Sequence, residues 1–288
     1  MQSASPLWTA TLAAAAMCAF AANSLLCRLA LGARLIDAAT FTSVRLVSGA
    51  VLLAALVAWR QRTRPWSGFD PRAALALFVY AIAFSYAYLS LTAGTGALIL
   101  FGAVQITMIV AGLASGERLA VAGWTGLALA FAGLVYLVAP GLGAPPLLAA
   151  LLMALAGLAW GVYSLRGRGV ADPLRATASN FIWSVPLTLL SSALLASEYH
   201  ATTPGVALAV ASGAIASGLG YVIWYAAVRR LAALRAAAVQ LSVPVIAAFG
   251  GILLLDERFT GRLVLASIAV LGGIALVLYS RVPGHGRP

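Results

Sequence analysis

The sequence predicts an all-α membrane protein in which ten transmembrane helices form two inverted five-helix repeats around a central cavity. Three observations support this fold class: an apolar composition, apolar runs of membrane-spanning length, and a Glu-Arg pair that recurs late in the chain. Of the 288 residues, 63% are apolar and 9% are charged, and the mean hydropathy is +1.01. Soluble proteins are about half apolar and a quarter charged, so the composition predicts a protein embedded in lipid.

The apolar runs are separated by short polar connections. A helix needs roughly 20 apolar residues to cross a hydrocarbon core of about 30 Å, and each run is close to that length. The sequence GTG at 94–96 is not followed by the Lys-Ser/Thr of a phosphate-binding loop, so neither ATP hydrolysis nor an ATPase subunit is expected. The ten predicted spans are residues 7–29, 39–59, 73–92, 95–114, 121–139, 146–166, 174–196, 206–228, 233–255 and 262–280.

The basic residues are all arginines, and their distribution predicts the orientation of the chain. Short cytoplasmic loops of membrane proteins carry more Lys and Arg than the loops on the other side. With a cytoplasmic N-terminus, thirteen arginines fall on the cytoplasmic side and four on the opposite side. We therefore expect a multi-pass protein of the bacterial inner (plasma) membrane with both termini in the cytoplasm. The net charge of +11 then serves contacts with acidic membrane lipids, and no nucleic-acid partner is expected.

The two halves of the chain share a sequence pattern. Aligning the Glu-Arg pairs at 117–118 and 257–258 also aligns the fifth predicted span of each half. Because five is an odd number, the second half must enter the membrane in the opposite orientation to the first. Inverted repeats are typical of secondary transporters, whose sites lie near the midplane at the repeat interface. The predicted repeats are residues 1–140 and 141–288, and the alternative is a chance match between helices rich in Ala, Leu and Gly.

Three features carry a resemblance to a known family: the Arg in FTSVRLVSGAVLLAAL, the Pro in QLSVPVIAAFGGILLLDER and the two Glu-Arg junctions. In this order and spacing, the sequence resembles the EamA-like exporters of the drug/metabolite transporter superfamily, and most of all the amino-acid exporters called YddG. The resemblance implies a ten-helix basket with alternating access. Val104 lies where a counterpart of Pro244 is expected. The predicted hinges are therefore Gly102 or Gly112 in the first half and Pro244 in the second.

All seven acidic residues and both histidines fall in loops or at the ends of predicted spans. Proton pumps and many proton antiporters place a titratable group within the membrane, and enzymes need a nucleophile with a base or a metal cluster. Proton coupling, enzymatic activity, metals and cofactors are therefore not expected. Glu117 and Glu257 are expected at the water boundary, where each caps the start of the following helix or pairs with the adjacent Arg.

Helical spacing predicts the lining of the central cavity. Residues three or four apart on spans three, six and eight bring aromatic and polar side chains to one face, and packing or interfacial positions are the alternative. Two central glutamines are costly in lipid, so each bonds another helix or faces the cavity. The predicted substrate-binding residues are Asn23, Tyr80, Phe84, Phe101, Gln105, Trp160, Tyr163, Ser164, Ser217, Tyr221, Trp224 and Gln240.

Arg45 is the one charge that lies well inside a predicted span. We expect its side chain to extend to the outer surface and bond backbone carbonyls, in preference to direct contact with a substrate. The site itself would then be uncharged. An uncharged site suits a neutral or zwitterionic solute, since an anion favours basic residues at depth and a dication favours carboxylates.

These patterns favour an exporter of small neutral or zwitterionic metabolites, and the resemblance implies amino acids with aromatic or other apolar side chains. Transport is expected without ATP and without proton coupling. Two alternatives stay open. One is an exporter of drugs or quaternary ammonium compounds, held by cation–π contacts, and the other is a non-transporting membrane scaffold.

Overall fold

The computed structural model describes residues 6–114, 119–141, 144–167, 170–228, 239–258 and 260–280. Within these ranges the regular elements are helices, and a single isolated bridge joins Ile36 to Ala201. The α-helices are α1 (Pro6–Gly32), α2 (Ala38–Gln61), α3 (Pro71–Tyr88), α4 (Ala93–Ala114), α5 (Val121–Val138), α6 (Leu147–Gly167), α7 (Pro173–Leu194), α8 (Thr203–Val210), α9 (Gly220–Val228), α10 (Ser242–Leu255) and α11 (Gly261–Tyr279). A π-helical segment, Ala211–Leu219, joins α8 to α9, and a short 3₁₀ turn, Ala196–Glu198, follows α7.

Helix length and hydropathy define a multi-pass membrane protein. In the described part of the chain, seven helical stretches are long and apolar enough to cross a membrane: α1 to α6 and the stretch Thr203–Trp224. Two further apolar helical stretches, Ser242–Leu255 in α10 and Gly261–Val277 in α11, are shorter. The prediction of an all-helical membrane protein is therefore confirmed, while the count of ten spans and the inversion of the halves stay predictions.

Polar caps begin several of the helices. Asp37, Asp70 and Asp172 accept hydrogen bonds from backbone N–H groups in the first turns of α2, α3 and α7. Thr202 and Thr260 do the same for α8 and α11. These oxygens satisfy N–H groups that have no partner within the helix. Proline in the first turn of α3, α7 and α8 suits positions whose N–H is not needed.

Glycines allow the central helices to approach closely. A Cβ on Gly157 of α6 would lie 2.5 Å from the carbonyl oxygen of Leu100 in α4, and one on Gly49 of α2 would lie 3.0 Å from the carbonyl oxygen of Gly213 in the π-helical segment. Backbone therefore packs on backbone at both crossings, as is usual for membrane helices with small residues at their interfaces. Helices α5 and α11, the last helices of the two predicted halves, pack against each other.

Candidate functional site

Aromatic side chains from five helices meet in the interior of the bundle. The Tyr221 ring centroid lies 4.8 Å from that of Trp160, 5.9 Å from Phe20 and 5.8 Å from Phe181, and the Tyr80 ring lies 4.9 Å from Trp160. These distances are typical of tilted and edge-to-face aromatic pairs. We define the aromatic cluster as the buried side chains Phe20, Tyr80, Phe84, Trp160, Tyr163, Phe181, Tyr221 and Trp224.

A central cavity of about 10 Å³ lies against the aromatic cluster. A space of this size holds about one water molecule, so a metabolite can enter only when the surrounding helices or side chains move apart. The site is therefore closed in this conformation. The cavity is lined by Phe20, Asn23, Ser24, Tyr80, Phe84, Leu100, Phe101, Trp160 and Tyr221.

A hydrogen-bond network crosses one wall of this cavity. The Asn23 Nδ2 donates to the Tyr80 hydroxyl at 3.3 Å, and the Asn23 Oδ1 accepts from the hydroxyls of Ser212 at 2.6 Å and Ser217 at 3.5 Å. The Nε of Arg45 donates to Ser217 Oγ at 3.2 Å. Four elements, α1, α2, α3 and the π-helical segment, are thus joined by buried polar groups. Each bond avoids the cost of an unpaired polar atom in an apolar interior.

Arg45 is 1% exposed and points into the bundle. Its Nη2 donates to the Tyr80 hydroxyl at 2.9 Å, and its guanidinium carbon lies 5.1 Å from the ring centroids of both Tyr80 and Phe84. Its Nη1 has no hydrogen-bond partner among the described residues. The expectation that Arg45 reaches the outer surface is therefore wrong, and the uncharged site that was inferred from it stays a prediction without that support. The guanidinium instead bonds two hydroxyls and lies over two aromatic faces in the interior.

The π-helical segment explains how two serines reach the same amide. Ser212 and Ser217 are five residues apart and both contact Asn23. In an α-helix, with 3.6 residues per turn, residues five apart point about 140° away from each other. The wider π turn brings them to one side, and such turns are frequent at functional sites. Spacing rules based on 3.6 residues per turn therefore missed Ser212.

The predicted site residues divide into two groups. Six of them line the central cavity: Asn23, Tyr80, Phe84, Phe101, Trp160 and Tyr221. The other six are not among its lining residues: Gln105, Tyr163, Ser164, Ser217, Trp224 and Gln240.

Within the second group the surroundings differ. Tyr163 stacks on Trp160 and Trp224 packs on Phe20, so both belong to the aromatic cluster. Gln105 and Gln240 are buried away from the cavity wall, and Ser164 is half-buried. A substrate-binding role for all twelve residues stays a prediction.

The predicted hinges lie in different surroundings. Pro244 is in the first turn of α10, which begins at Ser242, where a missing N–H costs little. Gly102 faces the Leu134 side chain, whose nearest carbon would lie 3.1 Å from an added Cβ. Gly112 is half-buried near the end of α4. Their function as hinges stays a prediction.

Residues that spacing analysis missed contribute to the cavity and its polar wall. Phe20 and Ser24 line the cavity. Phe20 lies three residues before Asn23, a spacing that could have identified it, whereas Ser24 directly follows Asn23 and is identified only through its spacing of four from Phe20. Leu100 had no such signal, because an apolar residue in an apolar helix does not stand out. Arg45 had a signal, the cost of a buried charge, but its direction could not be read from the sequence.

A half-buried carboxylate links helices at one end of the bundle. Glu257 accepts from the N–H of Ala93 through both carboxylate oxygens, at 3.0 and 2.9 Å, and from Arg28 Nε at 3.2 Å. Arg28 Nη1 also donates to the carbonyl oxygen of Tyr88 at 3.3 Å. This Glu257 latch, made of Arg28, Tyr88, Ala93 and Glu257, ties the ends of α1, α3 and α10 to the start of α4. Burial raises the pKa of Glu257 above its ordinary value. The hydrogen bonds from the Ala93 N–H and from Arg28 lower this pKa, but burial is the larger effect.

The latch corrects the expected role of Glu257. Its carboxylate caps α4, 164 residues away, and its arginine partner is Arg28, while Thr260 caps α11. The positive end of the α4 dipole favours an anion at this place. The corresponding residue of the first half, Glu117, lies outside the described residues.

A larger pocket opens at the other end of α3. It has a volume of about 290 Å³ and is lined in part by Asp70, Arg166, Asp172, Arg175 and Asn180, and we call it the charged pocket. Arg166 Nε donates to Asp70 at 2.5 Å, and Arg175 lies 3.7 Å from Asp172. Partial burial raises the pKa of Asp70, but hydrogen bonds from Arg166 and from two backbone N–H groups outweigh it and lower that pKa below its ordinary value.

Metal ligands do not cluster in the part of the chain that the structure describes. No group of three or more His, Cys, Asp or Glu side chains there could hold a metal ion. The chemistry available at the centre is that of aromatic faces, hydroxyls, one amide and one guanidinium, which can bind a solute.

Apolar helices of membrane-spanning length around an aromatic and polar internal site define the class of protein as a membrane transporter. Residues 147–279 match the EamA-like transporter family. An uncharacterized protein of Pseudomonas aeruginosa is 53% identical over 279 residues, which are 97% of each chain. Residues 147–279 therefore form an EamA-like transporter domain, the family that the resemblance to EamA-like exporters predicted, and a transporter of this family acts on small molecules in a membrane.

Two more distant similarities are also informative. A Salmonella typhimurium protein named "Probable amino-acid metabolite efflux pump" is 26% identical over 69% of this chain and 72% of its own length. A solved crystal structure aligns with a TM-score of 0.67 at 20% identity, over 95% of this chain and 99% of that one. The second similarity shows that the fold is shared.

Proposed function

We propose that this transporter exports amino acids with aromatic or other apolar side chains, or closely similar zwitterionic metabolites, across the bacterial inner membrane. The observation that carries this proposal is the direct contact between the aromatic cluster and the buried polar network of Asn23, Tyr80 and Arg45. One wall suits an apolar side chain, and the other suits the charged groups of an amino acid. The name of the Salmonella relative, an efflux pump for amino-acid metabolites, supports the same substrate class.

The chemistry of the cavity wall fits such a solute. An apolar side chain would pack against Phe20, Trp160 and Tyr221, where removal of apolar surface from water favours binding. The ammonium group would lie over the aromatic faces and within reach of the Asn23 amide oxygen.

The proposed architecture is ten spans in two inverted halves, residues 1–140 and 141–288, with both termini in the cytoplasm. Two contacts support it: the Glu257 latch joins Arg28 of the first half to Glu257 of the second, and α5 packs on α11. Cysteine reporters Arg64→Cys and Ala201→Cys test the orientation. Position 64 should react with an impermeant thiol reagent from the cytoplasm only, and position 201 from outside only. Reaction of both from one side would exclude ten spans.

Transport is proposed to run by alternating access, with neither ATP nor a proton as energy source. The residues lining the central cavity include no carboxylate and no imidazole, the side chains that form proton relays within membranes. A zwitterion would then move down its own gradient, and binding would bias the exchange between the two open states. Accumulation against a gradient that requires a pH difference and collapses with a protonophore would contradict this.

Flux measurements in proteoliposomes test the function. Vesicles loaded with radiolabelled phenylalanine or leucine should release them faster with the protein than without it. Trp160→Ala should lower this flux at least ~10-fold, because a cavity wall is lost, at an unchanged amount of inserted protein. Trp59→Ala removes an exposed tryptophan of α2 and should leave the flux unchanged. Flux of a quaternary ammonium compound alone would favour the drug exporter, and no solute flux would favour the scaffold.

A further inference from the structure

We propose that Arg45 is the carboxylate anchor of the transport site, so that a transported solute must carry a free carboxylate group. The inference rests on the proposed function and specifies the chemical class of its substrate. It also gives a reason why an arginine is held at this depth of the bundle.

The first argument is charge balance. Arg45 is fully buried, and its two hydrogen-bond acceptors, Tyr80 and Ser217, are neutral hydroxyls. The ion pairs formed among the described residues do not include it. Arginine keeps its proton inside proteins, so it cannot escape the cost of a buried charge by becoming neutral. A ligand carboxylate supplies the missing negative charge.

The second argument is unused donor capacity. Arg45 Nη1 has no hydrogen-bond partner among the described residues, while Nε and Nη2 donate to hydroxyls that the arrival of an anion can displace. A guanidinium matches a carboxylate through two parallel N–H donors, and such charge-assisted pairs are roughly twice as strong as neutral ones. The Tyr80 hydroxyl accepts from both Arg45 and Asn23 and keeps its own proton to donate to the same carboxylate.

The third argument is position. The Arg45 guanidinium lies over the rings of Tyr80 and Phe84, both of which line the central cavity. Only the side chain of Tyr80 or Phe84 therefore lies between the Arg45 guanidinium and the central cavity. A movement of the Tyr80 side chain would bring the guanidinium into contact with a solute in the cavity. Asn23 shares the Tyr80 hydroxyl with Arg45, so an acceptor for the ammonium group lies next to the donors for the carboxylate.

The same charge predicts which solutes are rejected. An amide or alcohol analogue of an amino acid keeps the ammonium group and loses the anion, so it adds a second positive charge beside Arg45 without a counter-charge. Sites built to bond a substrate group reject analogues that lack it by large factors. A carboxylate without an ammonium group keeps the main contact.

Competition binding tests this inference with the full-length protein in detergent. Tritiated L-phenylalanine is displaced by unlabelled L-phenylalanine, 3-phenylpropionate, phenylalaninamide or phenylalaninol. We expect 3-phenylpropionate to compete and the amide and alcohol to need at least ~100-fold higher concentrations than phenylalanine. This arm uses the unmodified protein and does not depend on the folding of any variant.

Variants of α2 give the second arm. Arg45→Met should weaken phenylalanine binding at least ~100-fold in direct titrations and reduce the preference for phenylalanine over phenylalaninamide to less than ~3-fold. Its melting temperature should not fall, since an unbalanced buried charge is removed. Arg45→Lys keeps the charge with fewer donors and should retain part of the preference. Arg60→Met, an exposed arginine on the same helix, is the matched control and should retain all of it.

The outcomes separate the two proposals. Phenylalaninamide that competes within ~3-fold of phenylalanine in the unmodified protein, or an Arg45→Met variant that keeps the preference, overturns the inference and leaves amino-acid export standing. Absence of both phenylalanine binding and amino-acid flux in the unmodified protein overturns the proposed function and the inference with it.

Discussion

The Glu257 latch and the charged pocket lie at opposite ends of α3 and use the same residue types in different ways. In the latch, the side chains of Glu257 and Arg28 are 10% and 25% exposed; in the pocket, those of Asp70 and Arg166 are 28% and 39% exposed. The latch is also bound to backbone at the start of α4 and the end of α3. The more buried set ties four helices together, whereas the more exposed set surrounds a space of about 290 Å³.

Under the proposed alternating-access mechanism, this difference corresponds to one state of the cycle. The deepest residue that α3 contributes to the charged pocket is Ala73, and Tyr80 of the aromatic cluster follows seven residues later, about 10 Å along the helix. The pocket therefore stops short of the central cavity, and the two share no lining residue. Among the described residues, the latch carboxylate is bound to Ala93 and Arg28, the central cavity holds about one water molecule, and the charged pocket is the larger space.

The largest effect is expected from removing the latch carboxylate. Glu257→Ala leaves the Ala93 N–H and the Arg28 guanidinium without their acceptor in a poorly solvated place, which should lower the free energy of unfolding by about 2 kcal/mol. Glu257→Gln keeps an acceptor oxygen and should lose less. Arg166→Met at the charged pocket should cost under about 0.5 kcal/mol, because exposed pairs are screened by water. Denaturant titration in detergent measures all three, and equal losses at the two ends would remove the distinction between them.

The helices could be predicted from sequence because lipid imposes a simple rule on composition and length. The predicted first and fifth spans, 7–29 and 121–139, differ by at most a few residues from α1 (Pro6–Gly32) and α5 (Val121–Val138). The predicted span 233–255 could not be followed over its whole length, because residues 229–238 lie outside the described ranges.

The candidate site could be predicted only where it follows the regular helix. Tyr80 and Trp160 lie on helices with a 3.6-residue period, and spacing identified both as cavity-facing. The period fails at Ser212 in the π-helical segment, and the direction of Arg45 depends on partners from other helices. The latch pairs residues 229 positions apart, a contact that local patterns do not contain.

The next effect in size concerns access from water. In a background with Cys18→Ala and Cys27→Ala, Ala176→Cys in the charged pocket should react with a hydrophilic thiol reagent at least ~10-fold faster than Ala93→Cys at the latch. Ala176 is half-buried in the pocket wall and Ala93 is fully buried. Adding Glu257→Ala should bring the two rates closer by releasing the start of α4. Equal rates without that change would show that the latch does not close its end.

The smallest effect is the response of the two carboxylates to pH, and its sign should differ between the ends. The pKa of Glu257 is raised above 4.5 by burial, so over the window from 4.5 up to the raised value the folded state holds more protons than the unfolded state. Stability from this group therefore increases as the pH falls through that window.

The pKa of Asp70 is lowered below 3.8 despite partial burial, chiefly by its bond from Arg166. The stability that Asp70 contributes is complete above pH 3.8, its ordinary pKa, and is lost as the pH falls through the lowered pKa of the folded state. In unfolding measured against pH, Glu257→Gln should remove the first trend and Asp70→Asn the second, each by less than about 1 kcal/mol. The contrary outcome is that Glu257→Gln removes the loss of stability below pH 3.8, the range in which Asp70 should act. That result would mean that the carboxylate of the latch is as solvated as that of the pocket, and that burial does not distinguish the two ends.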